Sequence, residues 1–249
     1  PLPYSRELVW VVDDWLLKDG AIYPEFNTRH DLAMDGRWGN MITINGRTDT
    51  VVKVQPGERL RIRMLNSSNG RVYAPDFGDL DATIIAVDGL YVREPIPARG
   101  FELAPGNRID VDVTFDKSTT VPFDVIDKFY AQRPNTLARF DVEGPLVDSP
   151  AFASPRGKVP WWAEGIEAPI SHTFRLNAQS GGPYGISWTI DGVAFMGHEH
   201  AMPPSATLTR GRFQRLHFTN ESPRIHPIHT HGMFFRLLAR NGQPVDEPF

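Results

Sequence analysis

The stretch Gly57-Glu58-Arg59-Leu60-Arg61-Ile62-Arg63-Met64-Leu65-Asn66-Ser67-Ser68 decides the class of fold. Leu60, Ile62 and Met64 alternate with Arg59, Arg61 and Arg63. Successive side chains on a strand point to opposite faces, so the pattern predicts a strand whose apolar face rests on a core. The three arginines are expected on a solvated or sheet-edge face rather than at an anion site. A second stretch has the same frame: Gly211-Arg212-Phe213-Gln214-Arg215-Leu216-His217-Phe218-Thr219-Asn220-Glu221-Ser222. The echo extends outward from both. Ile44-Asn45-Gly46 corresponds to Ile190-Asp191-Gly192, and Arg71-Val72-Tyr73 to Arg224-Ile225-His226. Ile84-Ile85-Ala86-Val87-Asp88-Gly89 corresponds to Leu237-Leu238-Ala239-Arg240-Asn241-Gly242 at the same offset. One β unit is therefore used twice.

The rest of the chain agrees with an all-β protein. Its 22 prolines and 21 glycines divide it into short pieces. Glu7–Val12, Met41–Ile44, Thr83–Val87, Arg108–Val113 and Ala138–Val142 read as strands. Asp19-Gly20, Asp35-Gly36, Asn45-Gly46, Asp88-Gly89 and Asp191-Gly192 read as turns. Ala21 to Met34 has no clear pattern and is expected to be a long loop. Residues 144–167 shift to Pro, Ser and Gly and contain Trp161-Trp162, which predicts a linker with the tryptophans packed on a domain face. The expected division is a first domain at 1–143, a linker at 144–167 and a second domain at 168–249.

Composition excludes several function classes. The chain has 249 residues, enough for two cores, and a net charge of −4, which gives no footprint for nucleic acid or an anionic membrane. No apolar run is long enough to span a bilayer. With 0 cysteines there are no disulfides, thiolate nucleophiles or iron–sulfur clusters. Pro1-Leu2-Pro3 reads as an internal or processed start, so the lack of a visible signal peptide says little.

The chemistry concentrates in Arg224-Ile225-His226-Pro227-Ile228-His229-Thr230-His231-Gly232. Neutral imidazole is a common metal ligand that suits copper, zinc, iron or nickel. On an extended strand His229 and His231 would share one face and His226 would take the other. That spacing suggests two sites back to back rather than three ligands for one metal. The plainer alternative is three structural or surface histidines. An internal control weighs against it: the first unit has Tyr73, Asp76 and Gly78 at the positions of His226, His229 and His231.

His-Pro-x-His-x-His-Gly resembles the third copper motif of the multicopper oxidases, the laccase and cuprous-oxidase family. The resemblance implies that His226 binds type 1 copper, His229 type 2 copper, and His231 a type 3 copper of the trinuclear cluster. The first unit resembles the copper-free middle domain of three-domain members. Its carriers are Gly39-Asn40, Asn45-Gly46, Arg61 through Asn69, Ala86 through Gly89, and Leu103 through Arg108. The fold implied is two cupredoxin-like Greek-key β-sandwiches, the second truncated. The activity implied is one-electron oxidation of a small reducing substrate, a phenol or a metal ion, coupled to reduction of dioxygen to water. An extracellular or periplasmic location follows from the same resemblance.

Beyond His229-Thr230-His231-Gly232 of the motif itself and His198-Glu199-His200, these residues contain no further His-x-His-Gly or His-x-His, and no His-Cys-His. With no cysteine, the chain by itself cannot form a blue-copper site. The chain is thus expected to be part of a larger oxidase and inactive alone, with its second domain open to a homo-oligomeric partner or to the missing segments. His198-Glu199-His200, between Met196 and Met202, reads as a polar loop after the Asp191-Gly192 turn in preference to an accessory or substrate copper site. His217 is expected on a strand surface, and His30 and His172 are isolated. Asp246-Glu247 lies where the family often places substrate-facing acids.

Overall fold

The computed structural model describes residues 2–26, 28–33, 35–118, 120–149, 151–158, 167–182, 185–194 and 204–245. Trp161-Trp162 and Asp246-Glu247 lie outside the described residues. The first strands are β1 (Arg6–Trp15), β2 (Leu17–Lys18), β3 (Ala21–Ile22), β4 (Met41–Ile44), β5 (Val51–Val54) and β6 (Arg59–Asn66). Then come β7 (Pro75–Asp76), β8 (Asp81–Val87), β9 (Leu90–Pro97), β10 (Arg108–Thr114), β11 (Phe123–Asp127) and β12 (Asn135–Val142). The remainder are β13 (Ile170–Ser180), β14 (Ile186–Ile190), β15 (Val193–Ala194), β16 (Arg215–Asn220), β17 (Ala239–Arg240) and β18 (Gln243–Pro244). The helix among the described residues is the five-residue α1 (Arg29–Ala33). No helix among them is long and apolar enough to cross a membrane. The chain is all-β, as the alternation predicts.

Contacts divide the chain into two units. One comprises Pro1–Pro24, Trp38–Lys158 and Arg236–Phe249; the other comprises Glu25–Arg37 and Val159–Phe235. In the first, a six-stranded sheet of order β4-β1-β6-β10-β8-β9 and a four-stranded sheet of order β5-β12-β11-β7 supply one core. Leu60, Ile62 and Met64 are buried, the apolar face that the alternation predicts. Trp10 stacks on Phe77 at 6.4 Å and on Phe140 at 5.8 Å, and Phe115 meets Phe140 edge-on at 5.0 Å. Each fully buried aliphatic or aromatic side chain contributes about 1.5–3 kcal/mol before entropy is charged against it.

The arginines of β6 differ from the expectation. β6 is an inner strand, with β1 on one side and β10 on the other. Its outward face is an ion-paired ladder. Arg59 Nη2 donates to Asp112 Oδ2 at 2.6 Å, Arg61 pairs with Asp110, and Arg63 with Glu7 at 3.1 Å. The Arg59 and Asp112 side chains are only 14% and 4% exposed, and Phe152 covers the guanidinium at 3.8 Å. The alternating Asp110 and Asp112 of β10, antiparallel beside β6, supply the opposite charges that let Arg59 and Arg61 lie out of water. Opposite charges across strands contribute about 0.2–1 kcal/mol each.

The expected long loop at 21–34 also contains structure. Asp19-Gly20 turns β2 into β3, with both residues at positive φ, 52° and 78°. Thr28 then caps α1: its Oγ1 accepts from Asp31 N at 3.2 Å, while Asp31 Oδ2 accepts from Thr28 N at 3.1 Å. This reciprocal capping box was visible as Thr28-Arg29-His30-Asp31, but the helix is too short to show a period.

The second unit repeats the frame of the first. Its sheet has the order β15-β14-β13-β16. Leu176 pairs antiparallel with Ile190 and parallel with Asn220, as Val12 pairs with Ile44 and Asn66. Asn45 Oδ1 accepts from Val11 N at 2.9 Å, and Asp191 Oδ1 accepts from Arg175 N at the same distance. Beyond this sheet the copies diverge. Among the described residues no strand flanks β16 as β10 flanks β6, and Leu176 is the second unit's only buried apolar side chain. Phe218 is 37% exposed where its counterpart Met64 is 1% exposed.

The strand expected through His226–His231 does not form; residues 225–238 have no strand assignment. The matching segment of the first unit, β7, is held by β11 through the pairs Ile126–Asp76 and Asp127–Pro75. Among the described residues the second unit has no strand in that role. An extended segment without a ladder partner is not held as a strand.

Candidate metal centre

The site begins where β16 ends. Asn220 makes a tight side-chain turn: its Oδ1 accepts from Ser222 N at 2.9 Å and its Nδ2 donates to Arg224 O at 2.6 Å. Asn66 does the same after β6, with Ser68 N at 2.9 Å and Arg71 O at 2.7 Å. The turn delivers one ring to the same slot in each copy. In the first unit Tyr73 fills it, fully buried, its hydroxyl 2.9 Å from Ser68 Oγ. Burial pushes that phenol well above its ordinary pKa. In the second unit His226 fills it, with Nε2 2.8 Å from Ser222 Oγ.

His226 is partly buried and meets Trp188 edge-on at 5.4 Å. Trp188 is itself held by its Nε1–H, which donates to Leu32 O at 3.1 Å. Burial lowers the His226 pKa below its ordinary 6.5, and the Asp35 carboxylate opposes that shift. Asp35 also accepts from Ile225 N at 3.3 Å. The net shift favours the neutral ring, the form a metal requires.

His229 and His231 are exposed, their ring centroids 4.9 Å apart at an interplanar angle of 76°. Their rings are brought together, while His226 makes its contacts with Trp188 and Ser222. Thr230 Oγ1 donates to Met233 O at 3.1 Å, and Gly232 turns the chain at φ 75°. In the first unit Asp76 stands at the His229 position. It accepts from Lys128 at 2.9 Å and from Gly78 N at 2.7 Å, so structural partners already take that position.

The donor chemistry fits part of a copper site. Imidazoles are suitable donors, and two of them adjoin. The described residues contain no group of three or more His, Cys, Asp or Glu side chains placed to hold one metal, and the sequence has no thiolate. His198, Glu199 and His200 lie outside the described residues. His217 is exposed on β16 and His30 lies in α1. His172, expected to be isolated, pairs with Asp191 at 3.1 Å and meets Phe174 at 4.3 Å, because the repeat places it beside the Asp191-Gly192 turn. Asn220, Ser222, Asp35 and Trp188 were not identified as site residues from sequence. For the first two, the match to Asn66 and Ser68 was the available signal.

Comparisons with known proteins agree with this architecture. The chain is 24% identical over 264 aligned residues to multicopper oxidase LPR1 homolog 1 of Oryza sativa subsp. japonica, covering 99% of this chain and 44% of that protein. It is 25% identical over 239 residues to the cell division protein FtsP of Photorhabdus laumondii, covering 90% of this chain and 47% of that one. The chain thus spans less than half the length of these two relatives. The crystal structure of a multi-copper oxidase from Pseudomonas parafulva superposes with a TM-score of 0.74 at 24% identity, over 100% of this chain and 59% of that one, which speaks to the fold. Multicopper oxidase family models match residues 6–136 and 168–248, and on that ground the chain belongs to the multicopper oxidase family.

Proposed function

We propose that the chain is part of a laccase-like oxidase. It would couple one-electron oxidation of a small reducing substrate, a phenol or a metal ion, to reduction of dioxygen to water. Four such oxidations supply the four electrons that one dioxygen takes up with four protons to give two waters. Copper supplies the one-electron chemistry when bound. In this reading His226 is a ligand of type 1 copper, His229 of type 2 copper and His231 of a type 3 copper. The supporting observation is the exchange at three matched positions. Tyr73, Asp76 and Gly78 become three imidazoles, while the Asn-x-Ser turn that delivers the first of them is unchanged. Residues 1–143 would be the copper-free domain, 144–167 the linker and 168–249 part of the copper-bearing domain. An extracellular or periplasmic location belongs to the same reading.

A second reading is a non-enzymatic scaffold of the same fold. The match to a cell division protein over 90% of the chain favours it, as does the incomplete donor set among the described residues. One experiment separates the two. Copper content, visible absorption and oxygen uptake with a phenol or ferrous ion are measured on the 249-residue chain. The same is done on a polypeptide that also carries the His-x-His-Gly, His-x-His and His-Cys-His segments. The chain alone should be colourless and inactive. The longer polypeptide should be blue and active, and His226→Ala should remove its colour. A folded but copper-free and inactive longer polypeptide selects the scaffold. Substrate oxidation by the 249-residue chain overturns the claim that it is inactive alone.

A further inference from the structure

We propose that Asn220 and Ser222 act as a hydrogen-bond relay that sets the tautomer of His226, placing the proton on Nε2 and leaving the Nδ1 lone pair free for a metal. Counting hydrogens gives the assignment. Asn220 has one orientation that satisfies its backbone partners, since Ser222 N must donate to it and Arg224 O must accept from it. Its Oδ1 therefore faces Ser222. The Ser222 hydroxyl has a single hydrogen and donates it to Asn220 Oδ1 at 2.9 Å. Ser222 Oγ is then an acceptor towards its other neighbours, Arg224 N at 3.2 Å and His226 Nε2 at 2.8 Å. An imidazole nitrogen that meets an acceptor must bear the hydrogen, so the neutral ring is the Nε2–H form.

The sister copy has the same turn without the hydroxyl link: Asn66 Oδ1 accepts from Ser68 N at 2.9 Å, and Ser68 Oγ lies 2.9 Å from the Tyr73 hydroxyl. The phenol carries its own rotatable hydrogen and bears no tautomer. The same scaffold, given an imidazole, fixes which nitrogen is open. Ser222 and Asn220 are thus positioning residues for His226. This inference rests on reading His226 as a metal ligand only for its consequence, not for the tautomer.

The test is nitrogen-15 NMR of the histidine rings in the 249-residue chain at a pH where His226 is neutral, first without metal and then during anaerobic Cu(I) titration. In the unsubstituted protein the His226 Nε2 signal should be of the protonated type and Nδ1 of the lone-pair type. Ser222→Ala should give a mixture of tautomers, and Ser222→Thr should restore the single form. Cu(I) should perturb Nδ1, with affinity at His226 about 10-fold weaker in Ser222→Ala. An Nδ1–H ring in the unsubstituted protein, or a tautomer indifferent to Ser222→Ala, overturns the relay. If the tautomer follows Ser222 but Cu(I) leaves His226 unmoved, the relay stands and the ligand assignment fails. The unsubstituted spectrum decides the tautomer even if a variant does not fold.

Discussion

Ser68 and Ser222 occupy matched places in the two units, yet the cost of removing them should differ. Ser68→Ala leaves the Tyr73 hydroxyl without its partner in a fully buried site, at a cost of about 1–3 kcal/mol. Adding Tyr73→Phe should recover most of that loss, because the orphaned hydroxyl is gone. Urea unfolding of the single and double variants measures both; a double variant as unstable as Ser68→Ala would contradict the account. His226 makes a different prediction. Its folded-state pKa lies below its ordinary 6.5, so the unfolded chain takes up the proton more readily. The stability it supports is complete above that ordinary value. It declines as the pH falls through that value towards the folded one, then levels off. The urea midpoint of the second unit should therefore drop as the pH falls from above 6.5 to below it by more than it does in His226→Gln.

At the scale of elements, β6 and β16 share a pattern and differ in surroundings. β6 lies between β1 and β10, with its outward arginines paired to acids on β10 and β1. Removing Asp112 leaves the Arg59 guanidinium beneath Phe152 without its counter-charge, with Phe152 O and Ser154 Oγ as uncharged acceptors. Asp112→Ala should cost about 3–5 kcal/mol, the penalty for breaking a buried pair from one side. A loss under about 1 kcal/mol, the surface-pair range, would show that water reaches Arg59. β16 has a strand on one side only among the described residues, and its Phe218 is open to solvent. Its amides should exchange hydrogen many-fold faster than those of β6, which open only with the first unit's core. Equal protection of the two strands would overturn this picture of the second unit.

For the whole molecule, the two units share a frame and divide labour by what fills it. The first has a closed two-sheet core and places phenol, carboxylate and backbone contacts at the positions that bear imidazoles in the second. The second presents imidazoles from a segment with no ladder of its own. Met233, Phe234 and Phe235 follow the motif and are 54%, 63% and 50% exposed. The expectation that this chain alone does not turn over substrate rests on the absence of cysteine from its sequence.

Alternation in the sequence determined which face of each strand is apolar, because side-chain direction along a strand is set by the backbone. Asn-Gly and Asp-Gly pairs determined the hairpin turns, because both residues must reach positive φ. The internal repeat showed which unit carries the three imidazoles. The partners of the β6 arginines, the missing ladder at His226–His231 and the surroundings of the His226 ring were decided only by the tertiary structure. Each depends on groups brought together across the fold: Asp110 and Asp112 beside the arginines, β11 beside β7, and Trp188 and Asp35 beside the His226 segment. Local pattern sets direction and turn, while charge, burial and protonation are set by what the fold places alongside.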